Sequence, residues 1–249
     1  YTPNTGSLYK TDNVYLDGSS NLILQSDFNA ARPNNKTIHT GAITSVDHDY
    51  SYGYYEIRCM LNSNGKRFMP AFWVWGGAII ETCDTPDYYY NENDFFEAFL
   101  DPSTYNLSSN VHNFVVDCNT NNWGKIHDYR PENINFINEF HTFGYEWTPN
   151  KIIYYLDGVC YDYFYSQYVA SHPLYLTVDL GIRNPWSAAP ADLGINSPDY
   201  KNFMTIDYIK VYNLKSSCID ETISNFNSGT YNNYSVKNNN FTKTNNILI

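Results

Sequence analysis

The sequence has little positive charge. Charged residues make up 16% of the chain, and 15 Lys and Arg stand against 26 Asp and Glu, so the formal net charge is −11. Nucleic acids and anionic membrane surfaces are bound through basic stripes, and this charge balance argues against both as partners. It argues less strongly against a sulfated polysaccharide, because a local group of Lys and Arg side chains can override the overall field.

Cysteine motifs and long apolar runs are also missing. The five cysteines form no C-x-x-C pair and have no histidines at zinc-site spacing, so no zinc site is indicated and their pairing stays open. No run of 18 apolar residues occurs, which excludes a typical membrane-spanning helix. Tyr1 follows no charged and apolar leader, and we expect any secretion signal to lie outside this sequence.

Helical periodicity is absent as well, while strand-forming aromatics are abundant. Phe, Trp and Tyr make up 18% of the chain, with 25 tyrosines. About ten to twelve short strands separated by turns predict an all-β antiparallel sandwich or barrel. Within it, Asp157-Gly158 predicts a type I′ hairpin, and 119–138 is predicted to be irregular. We predict a main domain over 1–214, and interpret the Asn-rich segment 215–249 as a linker or the start of an appended β module.

The most informative stretch is the strand-like segment Glu92–Glu97, which holds three carboxylates among aromatics. Strict alternation puts Glu92 and Asp94 on one face and Glu97 on the other. A β-bulge at Phe95-Phe96 would return Glu97 to the same face, and bulges are frequent beside active sites. Two glutamates on one face can reach the separation of about 5–5.5 Å that retaining glycosidases use. The alternative is an acidic edge strand that resists aggregation.

Aromatic residues near this stretch are candidates for sugar binding. Trp73 and Trp75 share one face of the predicted strand Met69–Gly77 and can form a stacking platform, although filling a core is the alternative for each. His112 on the predicted strand Val111–Asp117 is a candidate substrate contact, with a structural histidine as the alternative. Trp147 shares its face with other aromatics, which favours a place in the core.

Five motifs occur in order between residues 41 and 213: Tyr52–Arg58 (YGYYEIR), Pro70–Trp73 (PAFW), Glu92–Glu97 (ENDFFE), His141–Ile152 (HTFGYEWTPNKI) and Ile206–Tyr212 (IDYIKVY). Together they resemble glycoside hydrolase family 16, in the bulged E-x-D-x-x-E form of laminarinases, agarases and carrageenases. The resemblance implies a jelly-roll sandwich of two curved antiparallel sheets with a concave cleft. It also implies retaining, endo-acting hydrolysis of a β-linked polysaccharide by a secreted, cell-surface or periplasmic enzyme that acts as a monomer.

The motif also implies roles for the acids. Glu92 would be the nucleophile, Glu97 the general acid/base, and Asp94 a third charge that keeps their protonation states apart. No cofactor is required. Some members bind a structural calcium through the aspartate of the closing strand, here Asp207, but the partner ligands are not visible and the metal stays unassigned. Asn93 departs from the family, which usually has an aliphatic residue there; a buried amide needs a hydrogen-bond partner.

The sequence leaves the sugar open. Gly181–Trp186 resembles a loop of laminarinase-like members, which places Trp186 at the substrate, and the acidic charge favours a neutral β-1,3- or mixed-linkage β-glucan. Arg67, Lys66 and Arg183 can instead form a local anion site, which favours a marine galactan such as agar, porphyran or carrageenan. A non-catalytic polysaccharide-binding module on the same fold is a third interpretation, although all three acids are present.

Overall fold

The computed structural model describes part of the chain. The described residues are 7–28, 31, 38–47, 50–62, 68–76, 89–101, 104–117, 120–129, 136–166, 169–170, 172–182, 201–214 and 234–236. Within these ranges the chain is almost entirely β-strand, with one 3₁₀ turn at Thr11–Asn13. No helix among the described residues is long and apolar enough to cross a membrane.

Sixteen strands are present in the described residues, against the ten to twelve predicted. In chain order they are β1 Ser7–Tyr9, β2 Val14–Leu16, β3 Leu22–Phe28, β4 Ile38–Thr40, β5 Ala42–Thr44, β6 Gly53–Leu61, β7 Phe68–Gly76, β8 Tyr89–Asp101, β9 Thr104–Asp117, β10 Thr120–Tyr129, β11 Phe140–Thr148, β12 Lys151–Leu156, β13 Val159–Tyr165, β14 Tyr175–Ile182, β15 Lys201–Leu214 and β16 Tyr234–Val236.

The strands form two sheets that pack face to face as a jelly-roll sandwich, so the predicted fold class is confirmed. A six-stranded sheet has the order β10-β9-β8-β7-β14-β5. The second sheet has the path β1-β4-β3-β15-β6-β11-β12-β13, with β2 paired to β3 and β16 paired to β15. All described strand pairs are antiparallel except β1 with β4.

Local predictions differ in their outcome. The hairpin between β12 and β13 turns at Asp157 (φ 50°) and Gly158 (φ 78°), and two positive φ values in succession are the signature of a type I′ turn. The prediction that 119–138 is irregular is wrong, because Thr120–Tyr129 pairs with β9 along its length. Its Asn, Gly and Lys residues have low strand propensity, and pairing with a long neighbour overrides that propensity.

The core lies between the two sheets and is rich in aromatic rings. Trp147 is completely buried there, as predicted, and its indole nitrogen donates a hydrogen bond to the carbonyl of Ala170. Phe95 and Phe96 of β8 are also buried, against Tyr145 and Phe143 of the opposite sheet respectively. The inner face of β8 is therefore fixed by packing, and its outer face points away from the core.

Candidate active site

A β-bulge in β8 brings the three predicted acids to one face. On the β9 side, Asp94 is opposite Asn110 while Glu97 is opposite Ser108, so three steps along β8 match two along β9. The register toward β7 shifts at the same place. The predicted bulge at Phe95-Phe96 is therefore present, and it buries both phenylalanines in the core while Glu97 stays on the outer face with the other two acids.

Cross-strand pairing arranges the outer face of the six-stranded sheet in three rows, each named here by its acid. Residues directly opposite one another in antiparallel strands share a face. The Glu92 row is His112, Glu92, Trp75 and Tyr175; the Asp94 row is Asn110, Asp94, Trp73, Thr177 and Thr44; the Glu97 row is Ser108, Glu97, Ala71, Asp179 and Ala42.

Glu97 is held by an amide from the neighbouring strand. The Nδ2 group of Asn110 donates a hydrogen bond to Oε2 of Glu97, and Ser108 Oγ donates to Oδ1 of Asn110 at 3.0 Å. Ser108 and Asn110 are both completely buried. These two hydrogen bonds fix the orientation of the Asn110 amide and, through it, the position of one oxygen of Glu97.

His112 lies between the other two acids. Its Nε2 is 3.3 Å from Oδ2 of Asp94 and 3.9 Å from Oε1 of Glu92. Asp94 is almost completely buried, whereas Glu92 keeps about a fifth of its side chain exposed. The ligand atoms of Glu92, Asp94 and His112 lie within 4.8 Å of one another, so among the described residues this group has the geometry to hold a metal ion. Two of these residues, Glu92 and Asp94, are among the acids to which the sequence motif assigns the reaction, and His112 is the predicted substrate contact.

The two predicted tryptophans lie side by side next to these acids. Trp73 and Trp75 are opposite Asp94 and Glu92, and their rings stack with centroids 5.8 Å apart. Each indole nitrogen donates to β14: Trp73 to Oδ1 of Asp179 at 3.0 Å and Trp75 to Oγ1 of Thr177 at 2.9 Å. Trp73 is nearly buried and Trp75 partly exposed, so the pair is an anchored aromatic group beside the acids whose more accessible ring is Trp75.

Asp179 is a fourth carboxyl on this face that the sequence reasoning missed. It is 6% exposed, and the phenol of Tyr9 donates to its second oxygen at 2.5 Å. Burial raises the pKa of Asp179 to about 6, against the lowering effect of the hydrogen bonds from Tyr9 and Trp73. A signal was available, because alternate residues of β14 are aliphatic and Asp179 is its one charged residue.

Behind the acids, the inner face of β8 carries an amide. Asn93 is completely buried, and among the described residues neither its amide oxygen nor its nitrogen makes a hydrogen bond of normal geometry. Within the same part of the chain, the buried hydroxyls of Tyr145 and Tyr154 make no hydrogen bond of normal geometry either. Burial raises the pKa of Tyr145, and the Asn93 amide is close enough to oppose that shift. The sequence predicted that the Asn93 amide needs a hydrogen-bond partner. Among the described residues, the hydroxyl of Tyr145 is the group close enough to interact with it.

The structure does not describe four of the predicted contacts. Arg67 and Trp186 lie outside the described residues, as do Lys66 and Arg183. Asp207 pairs with Arg58 at 2.6 Å on the second sheet, away from the acids. Asn110 and Ser108 were missed, although polar residues at alternate positions leading to His112 were a readable signal.

Comparison with known proteins identifies the family. The family model described as beta-porphyranase A-D, GH16 domain, matches residues 4–214. The chain therefore belongs to glycoside hydrolase family 16, as its motifs indicated.

Two curated proteins resemble the chain in sequence. It is 26% identical over 179 residues to the kappa-carrageenase of Pseudoalteromonas carrageenovora, a match that covers 65% of this chain and 44% of that protein. It is 26% identical over 190 residues to beta-porphyranase E of Zobellia galactanivorans, covering 70% of this chain and 64% of that protein. The matches thus span about half to two thirds of the length of these relatives.

Solved structures show the same fold. The crystal structure of the kappa-carrageenase zobellia_236 from Zobellia galactanivorans superposes with a TM-score of 0.69 at 22% sequence identity, over 85% of this chain and 86% of that one. The chain therefore shares its overall fold with this solved structure.

Proposed function

We propose that this chain is a retaining, endo-acting glycoside hydrolase that cleaves a β-linked polysaccharide over the outer face of its six-stranded sheet. The observation that carries the proposal is the bulge at Phe95-Phe96, which puts Glu92, Asp94 and Glu97 on one face. Paired carboxylates at such a site are the machinery of retaining glycosidases. Membership of glycoside hydrolase family 16 supports the same reaction class.

The two glutamates divide the reaction between them. In the first step Glu92 attacks the anomeric carbon while Glu97 protonates the leaving glycosidic oxygen, which yields a covalent glycosyl-enzyme. In the second step Glu97 takes a proton from water, and that water displaces Glu92. Asn110 orients one oxygen of Glu97 and leaves the other available to carry the proton, and Glu92 keeps exposed surface from which it can attack.

Asp94 and His112 support Glu92. Asp94 is nearly buried, and its Oδ2 lies 3.3 Å from Nε2 of His112, so the imidazole packs against the carboxylate next to Glu92. We expect His112 to hold the acids in register and to contact the sugar at its exposed edge.

Trp73 and Trp75 provide the sugar-stacking surface. Their stacked rings are fixed by hydrogen bonds to β14, so little conformational entropy is lost when a sugar ring binds. Aromatic faces suit the apolar faces of sugar rings. Arg67 and Trp186 remain proposed substrate contacts from the sequence.

A galactan of the porphyran or carrageenan type is the substrate we favour. The matching family model is that of beta-porphyranases, and both curated relatives are named for galactan hydrolysis. A β-1,3- or mixed-linkage glucan is the second candidate. It is favoured by the absence of Lys and Arg from β5, β7, β8, β9 and β14, which leaves these strands without a fixed cation for a sulfate group.

The remaining properties follow from the reaction. A polysaccharide too large to enter a cell requires a secreted, cell-surface or periplasmic enzyme. The double displacement needs no cofactor. We propose a monomer, with neither nucleic acid nor membrane among its partners, and leave a structural calcium unassigned.

The test is the variant Glu92→Ser, assayed for new reducing ends on porphyran, carrageenans, agarose, laminarin and lichenan. The wild type should release reducing ends from at least one polysaccharide, and the variant should lose this activity while still binding oligosaccharides of the same sugar. Unchanged hydrolysis by Glu92→Ser would refute the assignment of the nucleophile. Binding without hydrolysis by the wild type would support the non-catalytic binding module instead.

A further inference from the structure

Asp179 is a buried carboxyl on the outer face whose two oxygens are each matched to a donor. Oδ1 accepts from the indole nitrogen of Trp73 at 3.0 Å, and Oδ2 accepts from the phenol of Tyr9 at 2.5 Å. An ionised carboxylate only accepts, so both donors are satisfied at once in that form alone. The proposed double displacement makes no use of this residue.

Among the described residues, burial and the hydrogen bonds from Tyr9 and Trp73 determine the ionisation of Asp179. Of the described neighbouring strands, β5 and β7 contribute no titratable side chain, and Tyr9 is the titratable group in contact. On β3 and β4, Asp27 and His39 pair with each other at 3.5 Å. Glu97 lies in the same row two strands away, at roughly 10 Å by the usual strand spacing.

We propose that Asp179 is a positioning residue: in its ionised form it fixes the Trp73 indole beside the acids, and its protonation loosens the platform and weakens sugar binding. This inference rests on the proposed function, because it concerns the platform of that same site. Asp179 acts through Trp73 and takes no part in bond cleavage.

The effect of protonating Asp179 follows from which of the contacting atoms donate hydrogen bonds and which accept them. A protonated carboxyl is uncharged and keeps one good acceptor oxygen. The hydroxyl of Tyr9 can accept a hydrogen bond from the protonated oxygen, whereas the indole nitrogen of Trp73 only donates, so protonation leaves Trp73 with a weaker, neutral acceptor or with none at Asp179. Because burial raises the pKa of Asp179 to about 6, this exchange falls within the ordinary working range of an enzyme. Acidification below that value therefore weakens the hydrogen bond between Asp179 and Trp73.

The neighbouring tryptophan offers a matched comparison. Trp75 is anchored in the same way, but its acceptor is the hydroxyl of Thr177, which does not titrate in this range. A pH-dependent change specific to Asp179 should therefore be removed by Asp179→Asn and retained by Thr177→Val. Removal of the Tyr9 donor by Tyr9→Phe should raise the midpoint above about 6, because that hydrogen bond lowers the pKa of Asp179.

The first measurement needs no substrate. Intrinsic tryptophan fluorescence of the wild type and these three variants is followed from pH 7.5 to pH 4.5, with circular dichroism to confirm folding. We expect a transition near pH 6 in the wild type and in Thr177→Val, a higher midpoint in Tyr9→Phe, and no such transition in Asp179→Asn. The same midpoint in Asp179→Asn, or no transition in the wild type, would overturn the inference.

The second measurement addresses the sugar. In the Glu92→Ser background, affinity for an oligosaccharide of the accepted polysaccharide should weaken roughly tenfold between pH 7.5 and pH 5, the value of one hydrogen bond to a charged group. With Asp179→Asn added, affinity should be low and independent of pH. Equal pH dependence with and without Asp179 would overturn the effect on binding. If no polysaccharide binds while the fluorescence transition behaves as expected, the proposed function fails and the anchoring of Trp73 stands.

Discussion

On the outer face of β8, Asp94 and Glu97 lie against His112 and Asn110, whereas on the inner face the Asn93 amide has no hydrogen-bond partner of normal geometry within the described chain. The two faces belong to one six-residue stretch and differ in what surrounds them. The outer face carries the three carboxylates, of which Asp94 is nearly buried and Glu92 about a fifth exposed, and Asn110 on β9 donates to Glu97. On the inner face, the Asn93 amide is buried in a core rich in aromatic rings.

The two faces of β8 should affect different properties of the protein. Burying a polar group without a partner destabilises a protein by about 1–3 kcal/mol, while a partnered polar group is close to neutral. The outer face should therefore determine the rate of the reaction, and the inner face should determine the free energy of unfolding. Substitutions on each face test this division.

The largest effect is expected for Glu97→Gln. The amide retains the size of the side chain and can still pair with Asn110, but it cannot donate a proton to the leaving oxygen. We expect kcat to fall by about 10²–10⁴-fold, the usual contribution of general acid–base catalysis. Steady-state kinetics on the accepted polysaccharide measures it, and a decrease of less than threefold would assign the proton transfer to another residue.

The next largest effect is expected on the inner face, at the bulge. Phe96 is completely buried and contacts Phe143 and Phe72, so Phe96→Ala should lower the free energy of unfolding by about 3–5 kcal/mol. Urea denaturation measures the change, with Phe96→Leu as the control for volume. If Phe96→Ala is as stable as the wild type, the ring does not fix the bulge.

The sharpest comparison pairs two asparagines on opposite faces. Asn93→Val removes a buried amide that lacks a hydrogen bond of normal geometry among the described residues, and it should raise the free energy of unfolding by about 1 kcal/mol, with activity within a fewfold of the wild type. Asn110→Val removes the donor to Glu97 and should lower kcat by about tenfold. A loss of activity in the first variant and none in the second would reverse the roles of the faces.

The smallest effect concerns the pH dependence of stability at Asp179. Its pKa in the folded state, about 6, lies above its ordinary value of 3.8, so the folded state binds the proton more tightly than the unfolded state. The residue therefore lowers stability increasingly as pH rises from about 4 to above 6. The Tm of Asp179→Asn relative to the wild type should be more favourable at pH 7.5 than at pH 4.5; a difference independent of pH would contradict the raised pKa.

Much of the site could be predicted because its signals are local. The acids, the need for a bulge and the shared face of Trp73 and Trp75 follow from alternation along single strands. The resemblance to glycoside hydrolase family 16 added the fold. The hairpin at Asp157-Gly158 was readable because two residues determine it.

The features of the site and fold that could not be predicted from the sequence depend on contacts between distant strands. Asn110 reaches Glu97, and Tyr9 reaches Asp179, only through the sheet register and the packing of β1. β10 was missed because its polar composition hides a strand that its partner β9 imposes. The domain boundary at 214 stays a prediction, although Tyr234–Val236 pairs with β15.

The anomeric configuration of the first product tests the central claim most directly. Proton NMR during the first minutes of hydrolysis distinguishes the two anomers before mutarotation mixes them. If Glu92 and Glu97 act as a nucleophile and an acid/base on one face, the new reducing end appears first as the β-anomer, with retained configuration. Initial release of the α-anomer would show direct attack by water and would contradict the account.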